Sequence, residues 1–403
     1  MFLLVIGVFL FLLTLLLLGA TYLEASKAEC PPGIADPSFV RKMHGAITAL
    51  AILGKTLEKL GIGNEITLYR LMAKWMPLKS KKDSELFIRD MQFEGVRVRV
   101  YQPKAPAAGG GKAVVFFHGG GFVVGNIELC DSLCIYMSKA SGAIVISVGY
   151  RLAPEHRYPA AFDDCLGATI HFLKTAQDFG VNPSSVIICG ESAGANLVAA
   201  VSQALVMTSD VPKPLAQVLI YPVLQLLDFN LPAHQQNHSV PFLMRDRTPF
   251  YTLNYAGGGD LSISKEVLNG SHVPPELRKK FSKWLSADNI PKEFKVRGYK
   301  PQAIPAFNNK VYEKVKQVFD PACSPLLAED SVLCLLQKTY ILTCEFDILR
   351  DEGILYKQRL EDNGVPVTWN HIKDGFHGIV SFFDQLNSGK QAVDHFVKFI
   401  KDV

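Results

Sequence analysis

The chain begins with a run that lacks charged positions altogether. From Phe2 to Leu23 no side chain carries a charge, and an apolar run of that length matches the ~30 Å hydrocarbon core of a bilayer when helical. Residues 1–23 are therefore expected to form a transmembrane signal-anchor. A cleavable signal peptide is the alternative, with Ser26-x-Ala28 as its small-x-small site, although the apolar part of such peptides normally spans only ~7–15 residues. From Pro37 to Leu78 apolar residues recur at helical spacing (Ile47, Leu50, Leu53, Leu57, Leu60), so residues 24–92 are expected to be N-terminal cap helices. At Phe93 the period changes. Val96-Arg97-Val98-Arg99-Val100-Tyr101 alternates as a half-buried strand does, and the small-residue stretch Pro103–Gly111 reads as a loop.

Short apolar runs follow, separated by longer helical stretches: Ala113–Phe117, Ala143–Val148, Val186–Cys189, Gln217–Tyr221, Thr339–Thr343 and Val365–Trp369. Such runs predict an α/β fold, with a mostly parallel central sheet and helices on both of its faces. From about Gln225 to about Pro325 the rhythm breaks into a segment rich in Pro, Lys and aromatics. The expected organisation is a catalytic domain over residues 93–403 with a cap insertion at about 225–325.

Composition narrows the class. The chain has 403 residues, 48% of them hydrophobic, enough for a large core. Its formal net charge is +4 with Lys and Arg dispersed, which excludes the basic stripe of a nucleic-acid binder. The eight cysteines are scattered, with neither zinc-ligand spacing nor a dense disulfide framework, so no metal is expected. Two sequons, Asn237-His238-Ser239 and Asn269-Gly270-Ser271, predict glycosylation at Asn237 and Asn269 and, with the apolar N-terminus, a secretory, membrane-tethered protein. Lys27, Arg41 and Lys42 flank the run on the body's side, a distribution that does not itself favour a luminal body.

The candidate chemistry centres on Cys189-Gly190-Glu191-Ser192-Ala193-Gly194. A lone G-x-S-x-G is weak, but here an apolar strand precedes it and a helix follows, as a turn that lifts a nucleophilic serine off a sheet edge requires. Gly190 and Gly194 must be small for helix and strand to approach. His118-Gly119-Gly120-Gly121 directly follows another strand. Attack on an acyl carbon throws negative charge onto the carbonyl oxygen, which needs backbone amides already aimed at it; Gly119, Gly120 and Ala193 are the expected oxyanion-hole donors. A nucleotide loop is excluded, because a dinucleotide fingerprint would need glycine at Val124 and no Lys-Ser/Thr follows. Ser192 also needs a base and an orienting acid. His377, in Asp374-Gly375-Phe376-His377-Gly378, lies just past the last strand, whereas His371 within that strand and His395 on an amphipathic helix read as structural. For the acid, Asp347 follows the Thr339–Thr343 strand at once; Asp351, one helical turn on, and Asp374 compete with it. All these groups come directly after strands, and so fall on the one sheet edge where ligands bind in open α/β folds.

Taken together, HGGG (118–121), Tyr150-Arg151-Leu152-Ala153-Pro154-Glu155-His156, GESAG (190–194), Asp347-Ile348-Leu349-Arg350-Asp351 and Asp374–Gly378 resemble the hormone-sensitive-lipase group of α/β-hydrolases, and within it the arylacetamide deacetylase-like proteins. The resemblance covers nearly the whole chain, and the order Ser, Asp, His is that of the α/β-hydrolases. It implies an α/β-hydrolase fold with a helical cap and a single-pass membrane protein whose catalytic domain lies in the endoplasmic-reticulum lumen. It also implies cofactor-free hydrolysis of small apolar esters or arylamides. The family pattern puts the nucleophile on Ser192, the acid on Asp347, the base on His377 and the oxyanion hole on Gly119, Gly120 and Ala193. Two departures stand out. Many relatives have Asp where this chain has Glu191, and some carry a cysteine at the place of Val123 that can bridge to the position of Cys344. The alternative function is a catalytically silent fold that binds lipid or a protein partner. Such proteins usually lack a triad or oxyanion residue, and this sequence retains them all.

Overall fold

Eight strands, β1 (Leu86–Phe93), β2 (Val96–Pro103), β3 (Gly111–Phe117), β4 (Ile144–Val148), β5 (Val181–Glu191), β6 (Ala216–Ile220), β7 (Lys338–Phe346) and β8 (Val367–Phe376), form one sheet in the order β1-β2-β4-β3-β5-β6-β7-β8. The computed structural model describes the backbone of residues 2–75, 83–105 and 111–403, and the side chains of 14–71, 83–105 and 111–403. Much of the expected loop Pro103–Gly111, and the end of the helical stretch expected to reach Leu78, lie outside the described residues. β1–β2 and β2–β4 pair antiparallel; every other pair is parallel.

The central strands read as continuous apolar runs because both faces are covered. Along β3, Val115 and Phe117 enter one core and Val114 and Phe116 the other. The first core is closed by helices Ala160–Thr175, Ala193–Val206 and Arg350–Asp362, the second by Asp131–Ser141 and Asn387–Asp402.

One expectation needs correction at the antiparallel edge. Residues 24–92 were expected to be helical; helices Pro37–Lys59 and Glu65–Trp75 form, but Leu86–Phe93 is a strand. Its apolar alternation is blurred because it pairs on one side only, leaving Phe87 exposed. Charge completes what packing does not. Asp90 of β1 accepts from the Arg99 Nε at 2.6 Å, and Arg99, itself fully buried, also binds Glu128 and Asp131. A buried cation is tolerated only when paired in this way.

Between 225 and 325 the described residues form helices and turns without a strand, the longest helices being Thr248–Ala256 and Pro275–Leu285. The two ends of this segment meet. The Leu326 amide donates to the Leu224 carbonyl at 2.9 Å, and the buried Asn196 Nδ2 donates to the Val223 and Cys323 carbonyls at 3.0 and 2.9 Å. The N-terminal helix Glu65–Trp75 is tied to the same region. Arg247 pairs with Glu65 at 2.6 Å, and Arg70 donates to the carbonyls of Val123 and Ala153.

The expectation of a single-pass anchor with a luminal endoplasmic-reticulum body is also corrected. Among the described residues no helix is long and apolar enough to cross a membrane. The charge-free run lies on the helix Phe2–Ala25, but its side chains up to residue 13 lie outside those described.

Candidate active site

β5 ends at Glu191 and the next helix begins at Ala193, leaving Ser192 between them at φ 54 and ψ −119. A non-glycine residue in this region costs on the order of 1–3 kcal/mol and persists only where its surroundings hold it. Two glycines make that possible. A Cβ on Gly190 would stand 2.6 Å from the Gly194 backbone, and one on Gly194 would stand 2.1 Å from the Phe117 carbonyl oxygen. Gly194→Ala is therefore expected to lower stability by about 3 kcal/mol, read as a drop in urea midpoint at unchanged slope.

Ser192 Oγ lies 2.9 Å from His377 Nε2, and His377 Nδ1 lies 2.8 Å from Asp347 Oδ2. Asp347 is buried, and its other oxygen accepts the Leu349 amide at 2.9 Å. The competing acids point elsewhere: Asp351 accepts from the Ala233 amide and Arg350, and Asp374 from the Ser388 hydroxyl. His371 contacts the Thr343 hydroxyl and Glu345, and His395 lies on the C-terminal helix, so neither joins the cluster.

Asn237 was expected to carry a glycan; instead it is fully buried. Its Nδ2, the atom a glycan would occupy, donates to the carbonyls of Glu345 and Asp347 at 3.0 and 2.9 Å. Its work in the fold is to hold the loop that presents Asp347. Asn269 is exposed at a helix end, its Oδ1 accepting from Ser271.

Gly119, Gly120 and Gly121 all line the cavity over Ser192, and the helix that opens at Ala193 begins directly behind the nucleophile. Gly121 has no room for a side chain, since a Cβ there would meet the Tyr251 ring at 2.2 Å. His118 is buried, and that burial holds its pKa down at about 4. The neutral ring stacks on Tyr150 at 4.2 Å, its Nδ1–H donates to the Gly119 carbonyl at 2.7 Å, and the Tyr150 hydroxyl donates to the His118 carbonyl. The Tyr150–His156 segment thus braces the glycine loop from behind.

A cavity of about 310 Å³ opens above Ser192 and His377, walled by Phe122, Val223, Leu226, Phe229, Phe242 and Tyr251. At the edge of this cavity Glu352 accepts the amides of Leu224 and Gln225 and the Gln225 side chain. Burial pushes its pKa up to about 8. The folded protein thus retains this proton where the unfolded chain releases it near an ordinary carboxyl pKa of ~4.5. Its contribution to stability therefore falls as pH rises from about 4.5 to about 8, by a few kcal/mol in all. In Glu352→Gln that slope should be lost: a melting curve series across this range should be flatter than the wild type's. Among the described residues no three His, Cys, Asp or Glu side chains converge as metal ligands would.

Sequence reasoning missed three residues of this site: Tyr221, Glu352 and, in its true place, Asn237. Tyr221 had a usable signal, because it ends a recognised strand on the same sheet edge as the other groups.

The alpha/beta hydrolase fold family matches this chain over residues 114–274 and 282–381. Arylacetamide deacetylase-like 4 of Homo sapiens is 42% identical to it over 379 residues, 93% of this chain and 92% of that protein. Neutral cholesterol ester hydrolase 1 of Mus musculus is 33% identical over 386 residues, 92% of each. Among solved structures, a hyperthermophilic esterase of the archaeon Pyrobaculum calidifontis is 25% identical with a TM-score of 0.64, covering 91% of this chain and 98% of that one. A thermostable carboxylesterase cloned from a metagenomic library is 26% identical with a TM-score of 0.63, covering 83% and 95%.

Proposed function

Because this chain belongs to the α/β-hydrolase family, we propose that it is a serine hydrolase that cleaves small apolar carboxylic esters through an acyl-serine at Ser192. The observation that carries this reading is the hydrogen-bonded line Ser192–His377–Asp347 at the base of an apolar cavity.

In this reading His377 Nε2 takes the Ser192 proton as Oγ attacks the ester carbonyl carbon, and Asp347 holds the ring in the tautomer with Nδ1–H and stabilises the imidazolium. Charge that develops on the carbonyl oxygen is met by the backbone amides of Gly119, Gly120 and Ala193, each such donor contributing roughly 3 kcal/mol in the transition state. His377 then protonates the leaving alkoxide. A water activated by the same nitrogen attacks the acyl-serine, and the acid departs. The cavity volume is at the lower end of the ~300–1,000 Å³ usual for ligand sites, which favours a compact acyl or aryl group over a long chain. The names of the relatives, a deacetylase-like protein and a cholesterol ester hydrolase, support an apolar ester; an arylamide would use the same serine and the same amides.

The test is covalent labelling of the purified full chain with a fluorophosphonate, wild type against Ser192→Ala. Labelling of the wild type alone is the expected result. A folded wild type that takes no label would overturn the reading in favour of a silent binding fold.

A further inference from the structure

Glu191 sits beside the nucleophile at the edge of the cavity, and its side chain is buried. The Tyr221 hydroxyl donates to its Oε2 at 2.5 Å, and Gly119 packs so closely against the same side chain that a Cβ there would stand 3.3 Å from the Glu191 Cγ. Tyr221 in turn lays its ring against the His377 imidazole, centroids 4.9 Å apart and planes at 56°. Its backbone is held at φ 35, a strained conformation for an aromatic residue that must be maintained by its neighbours. Those neighbours are the elements of the site: the Tyr221 amide donates to the Leu342 carbonyl of β7, and the Ser192 amide donates to the Ile220 carbonyl next to it.

We propose that Glu191 and Tyr221 are a positioning pair that fixes the glycine loop and the His377 imidazole relative to one another around Ser192. The inference rests on the serine-hydrolase reading above. The chain of contacts runs from Gly119 along the Glu191 side chain to the Tyr221 hydroxyl and the ring that backs His377. Length matters in this chain. An aspartate at 191 would be one carbon shorter and would draw the carboxyl back from the Tyr221 hydroxyl. Charge matters less. The other ionisable groups facing Glu191 besides Tyr221 and His377 are the Cys130, Cys134 and Cys189 thiols and the Tyr150 hydroxyl, all kept neutral by burial. Burial also raises the pKa of Glu191 itself, against the pull of Tyr221, Gly119 and His377. A glutamine fits the same span, its carbonyl accepting from the Tyr221 hydroxyl as the Glu191 Oε2 does.

The pair acts by placement. A displacement of about 1 Å between a base and its oxyanion donors can slow catalysis by ~100-fold, and releasing one hydrogen bond of this bridge moves them by less. The experiment compares ester hydrolysis by the full chain as wild type, Tyr221→Phe, Glu191→Asp, Glu191→Gln and the double variant Tyr221→Phe/Glu191→Asp. Melting temperature and fluorophosphonate labelling are recorded for each. Tyr221→Phe and Glu191→Asp are each expected to lower kcat about tenfold with KM within about twofold. The double variant should be no slower than the worse of them, and Glu191→Gln should stay within about threefold of wild type. Should Tyr221→Phe fail to fold, Glu191→Asp against Glu191→Gln carries the comparison alone. Three results each overturn the proposal while leaving the hydrolase reading intact: Tyr221→Phe active at the wild-type kcat, Glu191→Gln as slow as Glu191→Asp, or losses that multiply in the double variant. A wild type that takes no label and cleaves no ester overturns both.

Discussion

Ser192→Ala is expected to hydrolyse a chromogenic ester about 10⁶-fold more slowly than wild type, the loss seen when a serine hydrolase loses its nucleophile, while melting at nearly the same temperature. The two halves of this expectation come from different parts of the site. The rate depends on an oxygen 2.9 Å from His377 Nε2, and without it no acyl-enzyme forms. Stability depends little on that oxygen, because a neutral hydrogen bond contributes only about 1 kcal/mol net and the elbow is held by the glycines at 190 and 194, which the change leaves alone. His377→Ala added to Ser192→Ala should slow the reaction no further, since the two act as a unit. A measured loss of less than about 10³ in the single variant, with contaminating esterase excluded by active-site titration, would sink the assignment of Ser192.

Asp347→Asn is expected to lower kcat by about 10⁴, as removal of the orienting charge does in serine hydrolases, again with the fold intact. The geometry explains why asparagine is a poor substitute here. Asp347 Oδ1 is committed to the Leu349 amide at 2.9 Å, and Oδ2 receives Nδ1–H of His377. In asparagine the single carbonyl oxygen stays on the Leu349 amide, so the NH₂ faces His377 and forces the proton onto Nε2. That is the nitrogen that must accept from Ser192. The matching changes Asp351→Asn and Asp374→Asn are the controls. Both acids are bonded elsewhere, and neither should alter kcat by more than a few-fold. A larger loss at either than at Asp347 would reassign the acid.

The parts of this protein that could be read from the sequence are those built from neighbours in the chain. Val186–Cys189 is apolar throughout because β5 is buried on both faces, and the glycines around Ser192 are there because no larger residue fits within 3 Å of β3's last carbonyl. The parallel sheet, its strand ends and the residues they carry follow from such local patterns. What escaped depends on partners far away in sequence. Nothing near Asn237 shows that its amide will be enclosed by the carbonyls of 345 and 347, so the residue reads as a surface sequon. β1 was obscured for a related reason: an edge strand needs only one partner and stabilises itself here through Arg99 rather than through a clean apolar stripe. The N-terminal run shows the opposite error, in which composition alone suggested a membrane span.

The meeting of Leu224 and Leu326 has a consequence for how such a protein can change. Everything between them, including Leu226, Phe229, Phe242 and Tyr251 of the cavity wall, leaves and rejoins the body at one hydrogen-bonded doorway braced by Asn196. The segment can therefore lengthen, shorten or be exchanged between these ends, provided an anchor like Asn237 still holds the Asp347 loop, and doubling such a loop adds only about 0.6 kcal/mol of closure entropy. What reaches Ser192 can thus be inherited largely apart from the triad itself, and a new substrate range can arise by swapping one continuous stretch of chain that keeps that anchor.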